Sequence, residues 1–253
     1  MSNLPFISKV LEKVVASRLT KYLESNRLMS KSQSAYRRFH STESALLRLL
    51  SDLMSAVESG RIALLALLDM SAAFDTVDHS ILLRRLNKTY GIRGGAQRWI
   101  ESYLTDHTQR VCIQGTSSND VPLLYEVPQG SVLGPLLFIL YTGELEQIIN
   151  SHGLLAYSYA DNNKISFFCS PEETERLKAK VINSVEEISR WMSLNRLKVN
   201  PTKTEFLWTV TRRRKRLIPR EAIRLNGVDI APSRSVKLLG VHIDDLVTIH
   251  TNK

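Results

Sequence analysis

The chain is short of cysteine: Cys112 and Cys169 are its only two, too few for a disulfide framework, and neither has neighbours at zinc-ligand spacing. That scarcity places the protein in a reducing, intracellular setting, nuclear or cytoplasmic. Paired histidines are lacking as well: His40, His79 and His152 fall at no metal-binding spacing. No apolar run approaches the ~20 residues that a membrane span needs. The first thirty residues lack the pattern expected of a secretory leader, since Lys9, Glu12, Lys13, Arg18, Lys21 and Glu24 interrupt every apolar stretch there. Internal repeats, low-complexity tracts and long linkers are absent too. What is present is an ordinary 43% of hydrophobic residues in 253, enough for one large domain or two modest ones. Lys and Arg number 34 against 25 Asp and Glu, a net charge of +9. A basic surplus of this kind favours a polyanionic partner.

Hydrophobic periodicity divides the chain into elements. Val10, Leu11, Val14, Val15, Leu19, Tyr22 and Leu23 predict an opening amphipathic helix, and Ser30 to Phe39 a polar, basic loop. Ala45, Leu46, Leu49, Leu50, Leu53 and Val57 predict a second helix that ends before Gly60. Ile62 to Leu68 is a continuous apolar strand closed by Asp69. Helical stretches follow through Ile81, Leu82 and Leu86, and around Trp99 to Leu104. Arg110–Gln114 reads as a strand, residues 116–120 as a turn, and Val121–Val127 as the return strand. One helix is expected from Gly134 to Ile149. Leu154–Tyr157 and Lys164–Phe168 flank Tyr159-Ala160-Asp161-Asn162 as a β-hairpin with a carboxylate at its tip. Ser170-Pro171-Glu172-Glu173 carries three helix-start signals, and Leu177, Val181, Val185, Ile188 and Met192 continue the helix. A short strand near Phe206, a hairpin at Asn226-Gly227 and one final strand from Val236 to Ile243 complete the pattern. Helices first, then strands mixed with helices, favour an α+β fold.

Two carboxylates at the ends of buried strands, Asp69 and Asp161, are costly to desolvate unless paired, and a metal ion is the usual partner. Pro128-Gln129-Gly130-Ser131 is a glycine turn entering a helix, where backbone can approach a ligand closely. Taken in order, the Asp69-to-Asp75 segment, the Gln129-Gly130 turn and the Tyr159-to-Asn162 hairpin resemble motifs A, B and C of a reverse transcriptase palm. Phe6 to Lys13, Gln33 to Arg37, His40 to Leu46, Trp191 with Asn195, Leu197 to Asn200, Lys203-Thr204 and Leu238 to Val241 extend the resemblance to non-LTR (LINE-type) retrotransposon enzymes, over essentially the whole chain.

The resemblance implies a right-hand polymerase palm, an antiparallel sheet with helices on one face, plus partial fingers. It divides one reverse transcriptase domain, residues 1–253, into partial fingers over about 1–60, palm with finger insertions over about 61–235, and a primer-grip strand over about 236–253 without a thumb. The implied reaction is RNA-directed DNA synthesis from an RNA template, a DNA primer and deoxynucleoside triphosphates, with no membrane involved. Asp69 and Asp161 would hold two magnesium ions, for which manganese can substitute. Phe74 would exclude a 2′-hydroxyl beneath the incoming sugar, which argues against an RNA-templated RNA polymerase. Gln129 and Gly130 would pack against the nucleotide and the templating base, and Lys203 would protonate the leaving pyrophosphate.

The departure from the pattern is Asn162, where the family has a second adjacent acid. An amide offers one neutral oxygen and no charge, so the expectation is impaired catalysis, with a nucleic-acid-binding remnant as the alternative. Each residue alone has a plainer reading. Asp69 would be a turn residue, Asp161-Asn162 a hairpin turn, Phe74 a core aromatic, and Arg212-Arg213-Arg214-Lys215-Arg216 a solvated loop. In a polymerase that basic run would instead contact phosphates.

Overall fold

The computed structural model describes residues 6–71, 73–128 and 130–250. In chain order the elements are α1 (Phe6–Ser25), α2 (Thr42–Glu58), β1 (Ile62–Leu68), β2 (Met70–Ser71), α3 (His79–Lys88) and α4 (Gly94–Leu104). Four two-residue strands follow, β3 (Thr108–Gln109), β4 (Cys112–Ile113), β5 (Thr116–Ser117) and β6 (Val121–Pro122), then α5 (Gly134–Thr142) and α6 (Leu145–Ser151). The hairpin β7 (Leu155–Tyr159) and β8 (Asn162–Cys169) precedes α7 (Thr174–Leu194). The rest is β9 (Lys198–Val199), β10 (Glu205–Thr209), β11 (Ile223–Leu225), β12 (Val228–Ile230), β13 (Ser235–Leu238), β14 (Val241–Asp244) and β15 (Ile249–His250). Two compact units result. The first holds Met1–Met29, Ala72–Gly143 and Asn195–Leu197; the second holds Ser30–Ser71, Glu144–Leu194 and Lys198–Lys253.

In the first unit, α3 starts where the Asp78 carboxylate accepts the Ile81 amide at 3.0 Å, and it ends on Arg85 and Lys88, which suit the helix dipole. α5 is buried all round, so its start cannot be capped by water. Glu12 of α1, itself 1% exposed, accepts the Val132 and Leu133 amides at 2.7 and 3.1 Å. This explains why α1 buries Glu12, Leu19 and Leu23 while Val10, Leu11 and Val14 of the expected apolar face stay exposed. The helix expected over Gly134–Ile149 is two helices. Gly143 closes the first because a Cβ there would lie 2.2 Å from the Tyr90 hydroxyl. The turn expected at 116–120 falls earlier, at Gln114 and Gly115, whose φ values of 48° and 85° make the twist-matched two-residue turn. The return strand is accordingly broken into β5 and β6.

The second unit is built on an antiparallel sheet of order β10-β1-β8-β7. Leu49, Leu50 and Leu53 of α2 pack on Ala63, Leu65, Tyr157 and Leu207, together with Val236 and Leu238 of β13 and Ile243 of β14. The alternate residues Leu64, Ala66, Ile165, Phe167 and Phe206 are buried as well, and α7 lies against β8 and β9 with the apolar face read from its sequence. The α+β class with an antiparallel sheet is therefore as expected, but the sheet is covered on both faces rather than by helices on one. Ser170 and Glu173 form the reciprocal cap in front of α7, and Asn226-Gly227 turns the β11–β12 hairpin. The single strand expected from Val236 to Ile243 is instead the β13–β14 hairpin, turned at Leu239 and Gly240 with φ of 46° and 97°.

Candidate functional site

The acids come together because two antiparallel strands end at the same edge. β1 and β8 pair as far as Leu68 with Asn163, so Asp69, next after β1, and Asp161 and Asn162 of the hairpin tip lie at the same end of the two strands. Three neighbours fix Asp69. Its carbonyl accepts the Asn200 amide at 2.9 Å, and β2 pairs with β9 immediately after it. The Asn200 side chain then folds the following turn by accepting the Thr202 amide at 3.1 Å. That turn delivers Lys203, whose ammonium stands 3.8 Å from the Asp69 carboxylate.

The hairpin tip is held from far away in sequence. Ala160 takes a positive φ of 55°, a strained value for a residue with a Cβ. Gln33, 4% exposed, grips both its backbone groups: Oε1 accepts the Ala160 amide at 3.1 Å and Nε2 donates to the Ala160 carbonyl at 3.2 Å. The same Oε1 accepts the Ala35 amide at 2.8 Å, and Ser34 and Ser158 are joined through backbone. Gln33 entered the sequence reading only as part of a resemblance. Its positioning role depends on a contact that no local pattern announces.

Charge at the tip is unusual. Asn162 donates from Nδ2 toward the Asp161 carboxylate at 3.4 Å, so the hairpin tip turns an amide hydrogen to its own acid. Lys164, two residues on and 5% exposed, was not singled out by sequence. Burial pulls its ammonium down to about 8, while the nearby Asp161 opposes that fall. Tyr36 is pushed above its ordinary range by partial burial and by the charge of Asp161. Among the described residues no three His, Cys, Asp or Glu side chains gather as a metal cluster. One carboxylate and an amide on the hairpin, with the Asp69 carboxylate at the end of β1, are what the strand ends offer, and magnesium draws its other ligands from water and phosphates. Asp69 and Asp161 fit that role in number and position; the third place is occupied by a neutral group.

The remaining expected residues belong to the first unit. Phe74 packs on Phe138 of α5 with ring centroids 4.5 Å apart, and its carbonyl accepts the Val127 amide at 3.1 Å. Gly130 has φ 82° with open space around the place of a Cβ, so backbone conformation rather than crowding calls for glycine. Gln129 lies outside the described residues. Buried Arg85 donates to Asn195 Oδ1 at 2.8 Å and to the Tyr141 carbonyl, giving Asn195 a structural place. No described helix is long and apolar enough to cross a membrane.

An antiparallel sheet with one carboxylate at the end of a central strand and another on the adjoining hairpin turn defines a polymerase palm. The comparisons agree. The family model for reverse transcriptase (RNA-dependent DNA polymerase) matches residues 1–243, and the chain belongs to that family. It is 29% identical over 98% of its length to "Probable RNA-directed DNA polymerase from transposon BS" of Drosophila melanogaster. It is 25% identical, again over 98%, to the RNA-directed DNA polymerase from mobile element jockey of the same organism. The chain spans 27% of each of these relatives. Among solved structures, telomerase from Candida albicans, in complex with a fragment of telomeric RNA, matches with TM-score 0.64 and 13% identity over 97% of this chain and 39% of that one. Apo telomerase from Candida tropicalis matches with TM-score 0.62 and 12% identity, over 97% and 45%. These structures share the fold.

Proposed function

We propose that this chain is the RNA-directed DNA polymerase domain of a non-LTR retrotransposon, built to extend a DNA primer on an RNA template, with its chemistry weakened by Asn162. The observation that carries the reading is the convergence of Asp69 and Asp161 at one edge of the sheet in a member of the reverse transcriptase family. The two carboxylates would hold magnesium, or manganese in its place, and a bound ion would lower the pKa of a primer 3′-hydroxyl and neutralise charge building on the triphosphate. Phe74, backed by Phe138, gives a rigid ring to sit under a deoxyribose and reject a 2′-hydroxyl. Gln129 and Gly130 would pack against the nucleotide, as the resemblance implies, and Gly130 has the positive φ of 82° that lets backbone approach closely. Lys203 holds a proton within reach of the acids and donates it to the departing pyrophosphate. Two unbonded cysteines fit an intracellular, nuclear or cytoplasmic, setting.

Asn162 supports a second reading, a palm that binds nucleic acid without extending it. A second acid would add charge next to a divalent ion, where charge dominates affinity; the amide removes it and points a hydrogen at Asp161. Primer extension on an RNA template separates the two readings. Weak incorporation with magnesium, raised by manganese and strongly raised in Asn162→Asp, is expected. No incorporation by either protein, with duplex still bound, would leave the binding remnant.

A further inference from the structure

The second unit holds another site, at the opposite end of the sheet. β1 and β10 pair with Leu67 opposite Glu205 near the acids and Ala63 opposite Thr209 at the far end, a separation of about 14 Å at ~3.4 Å per residue. Just past Thr209 lies a cavity of about 530 Å³, of the size that takes small ligands. Lys215, Arg220 and Arg234 line it, with Asp245 as its one acid. Lys215 is paired with Asp245 at 2.8 Å, whereas Arg220 and Arg234 have no ion-pair partner among the described residues. Trp208 lines the same cavity at 1% exposure, and its indole N–H has no acceptor. The wall is built, not floppy: the Val210 amide donates to the Asp245 carbonyl at 3.1 Å, the Asp245 amide to Arg234 at 3.2 Å, and the Ser233 amide to Phe206 at 2.7 Å.

We propose that this cavity binds the phosphodiester backbone of a single nucleic-acid strand, with Arg220, Arg234 and Lys215 on the phosphates. A lone small anion would leave most of the charge unused, because the 3-10 turn Arg212–Leu217 continues the basic surface outward with exposed Arg212, Arg213 and Arg216. That layout suits phosphates in series. The flank of a duplex is convex and does not enter a concave pocket. The ligand class rests on the polymerase reading, but the site stands on its own geometry.

The test is binding of a fluorescent single-stranded RNA, and of the matching DNA, to the whole chain without divalent metal across a salt series. Lys215→Ser/Arg220→Ser/Arg234→Ser is expected to lose at least ~10-fold in affinity at low salt and to lower the slope of log K against log salt by about 2, near 0.7 per phosphate contact. Lys215→Arg/Arg220→Lys/Arg234→Lys is expected to bind like the parent. With the parent protein alone, bound strand should slow acetylation of Lys215 more than that of exposed Lys180 on α7. Equal protection of the two lysines, or a triple serine variant with the parent's affinity and slope, overturns the proposal. Displacement by inorganic phosphate as effective as by the strand itself overturns it in favour of a small-anion site. No readout here involves incorporation, so a chain that fails to extend primers leaves this proposal untouched, and its failure leaves the polymerase reading untouched.

Discussion

The two ends of strand β1 are opposites. At the Asp69 end, two partly exposed acids sit with Lys203 at 3.8 Å from Asp69 and Lys164 buried behind the hairpin. At the Ile62 end, the neighbouring strand β10 runs into a cavity with more cations than acids. On the readings proposed above, one end would take a metal and the other an anion, and a single strand of seven residues separates them. The lesson of the contrast is that one buried ladder of strands can carry two opposite electrostatic demands, one at each end.

The largest effect expected is at the acidic end. Asn162→Asp should raise the primer-extension rate at least ~100-fold, since it adds a charge where a metal ligand belongs; a rate within twofold of the parent would erase the contrast between the ends. Next comes Lys164. Its folded-state pKa is below its unfolded one, so folding costs most when the lysine is charged, below about pH 8, and that cost is relieved as pH rises from there toward the ordinary lysine value. Lys164→Met should therefore gain about 3 kcal/mol at neutral pH in urea unfolding and lose the parent's rise in stability across that window. A variant whose stability curve parallels the parent's would show that the ammonium reaches water.

Gln33→Ala should cost about 1–3 kcal/mol by orphaning the Ala160 and Ala35 amides. Placed in the Asn162→Asp background it should lower kcat with little change in KM, and speed amide exchange at Ala160; unaltered exchange there would mean the tip holds its shape alone. The smallest change is expected at the basic end. Asp245→Asn frees Lys215 from its partner and should tighten strand binding by about 2–5-fold, in keeping with the small worth of a partly exposed ion pair. Weaker binding would show that Asp245 arranges the site rather than competes for it.

The acidic end was far more legible in the sequence than the basic one, and the reason is range. The strand before Asp69, the Tyr159-to-Asn162 turn, the Ser170 cap and the Asn226-Gly227 hairpin are each specified by residues within a few positions of one another. The helix break at Gly143 is not, because it depends on the Tyr90 hydroxyl 53 residues away. The β13–β14 turn escaped the periodicity reading, though the resemblance puts a hairpin at Leu239-Gly240-Val241, because Leu239 takes a positive φ that its residue type disfavours. Lys164 entered the sequence reading only as the first residue of a hairpin strand, and only the sheet's packing shows it buried. Trp208 was not singled out by sequence; its burial and its N–H without an acceptor are visible only once the surrounding elements are in place. The pairing of Asp69 with Asp161 came from the resemblance, and the β1–β8 register ends one residue before Asp69 and two after Asp161.

The grip of Gln33 on Ala160 spans 127 residues. Closing a loop of that length is entropically expensive compared with zipping the β7–β8 hairpin, whose partners are neighbours in the chain. The hairpin can thus form early while its tip still samples other turn geometries, and the tip is fixed only when the loop from Ser30 to Phe39 docks. The acids acquire their working arrangement late in folding, as a consequence of long-range closure, so a chain with a fully formed sheet is not yet a chain with a formed site.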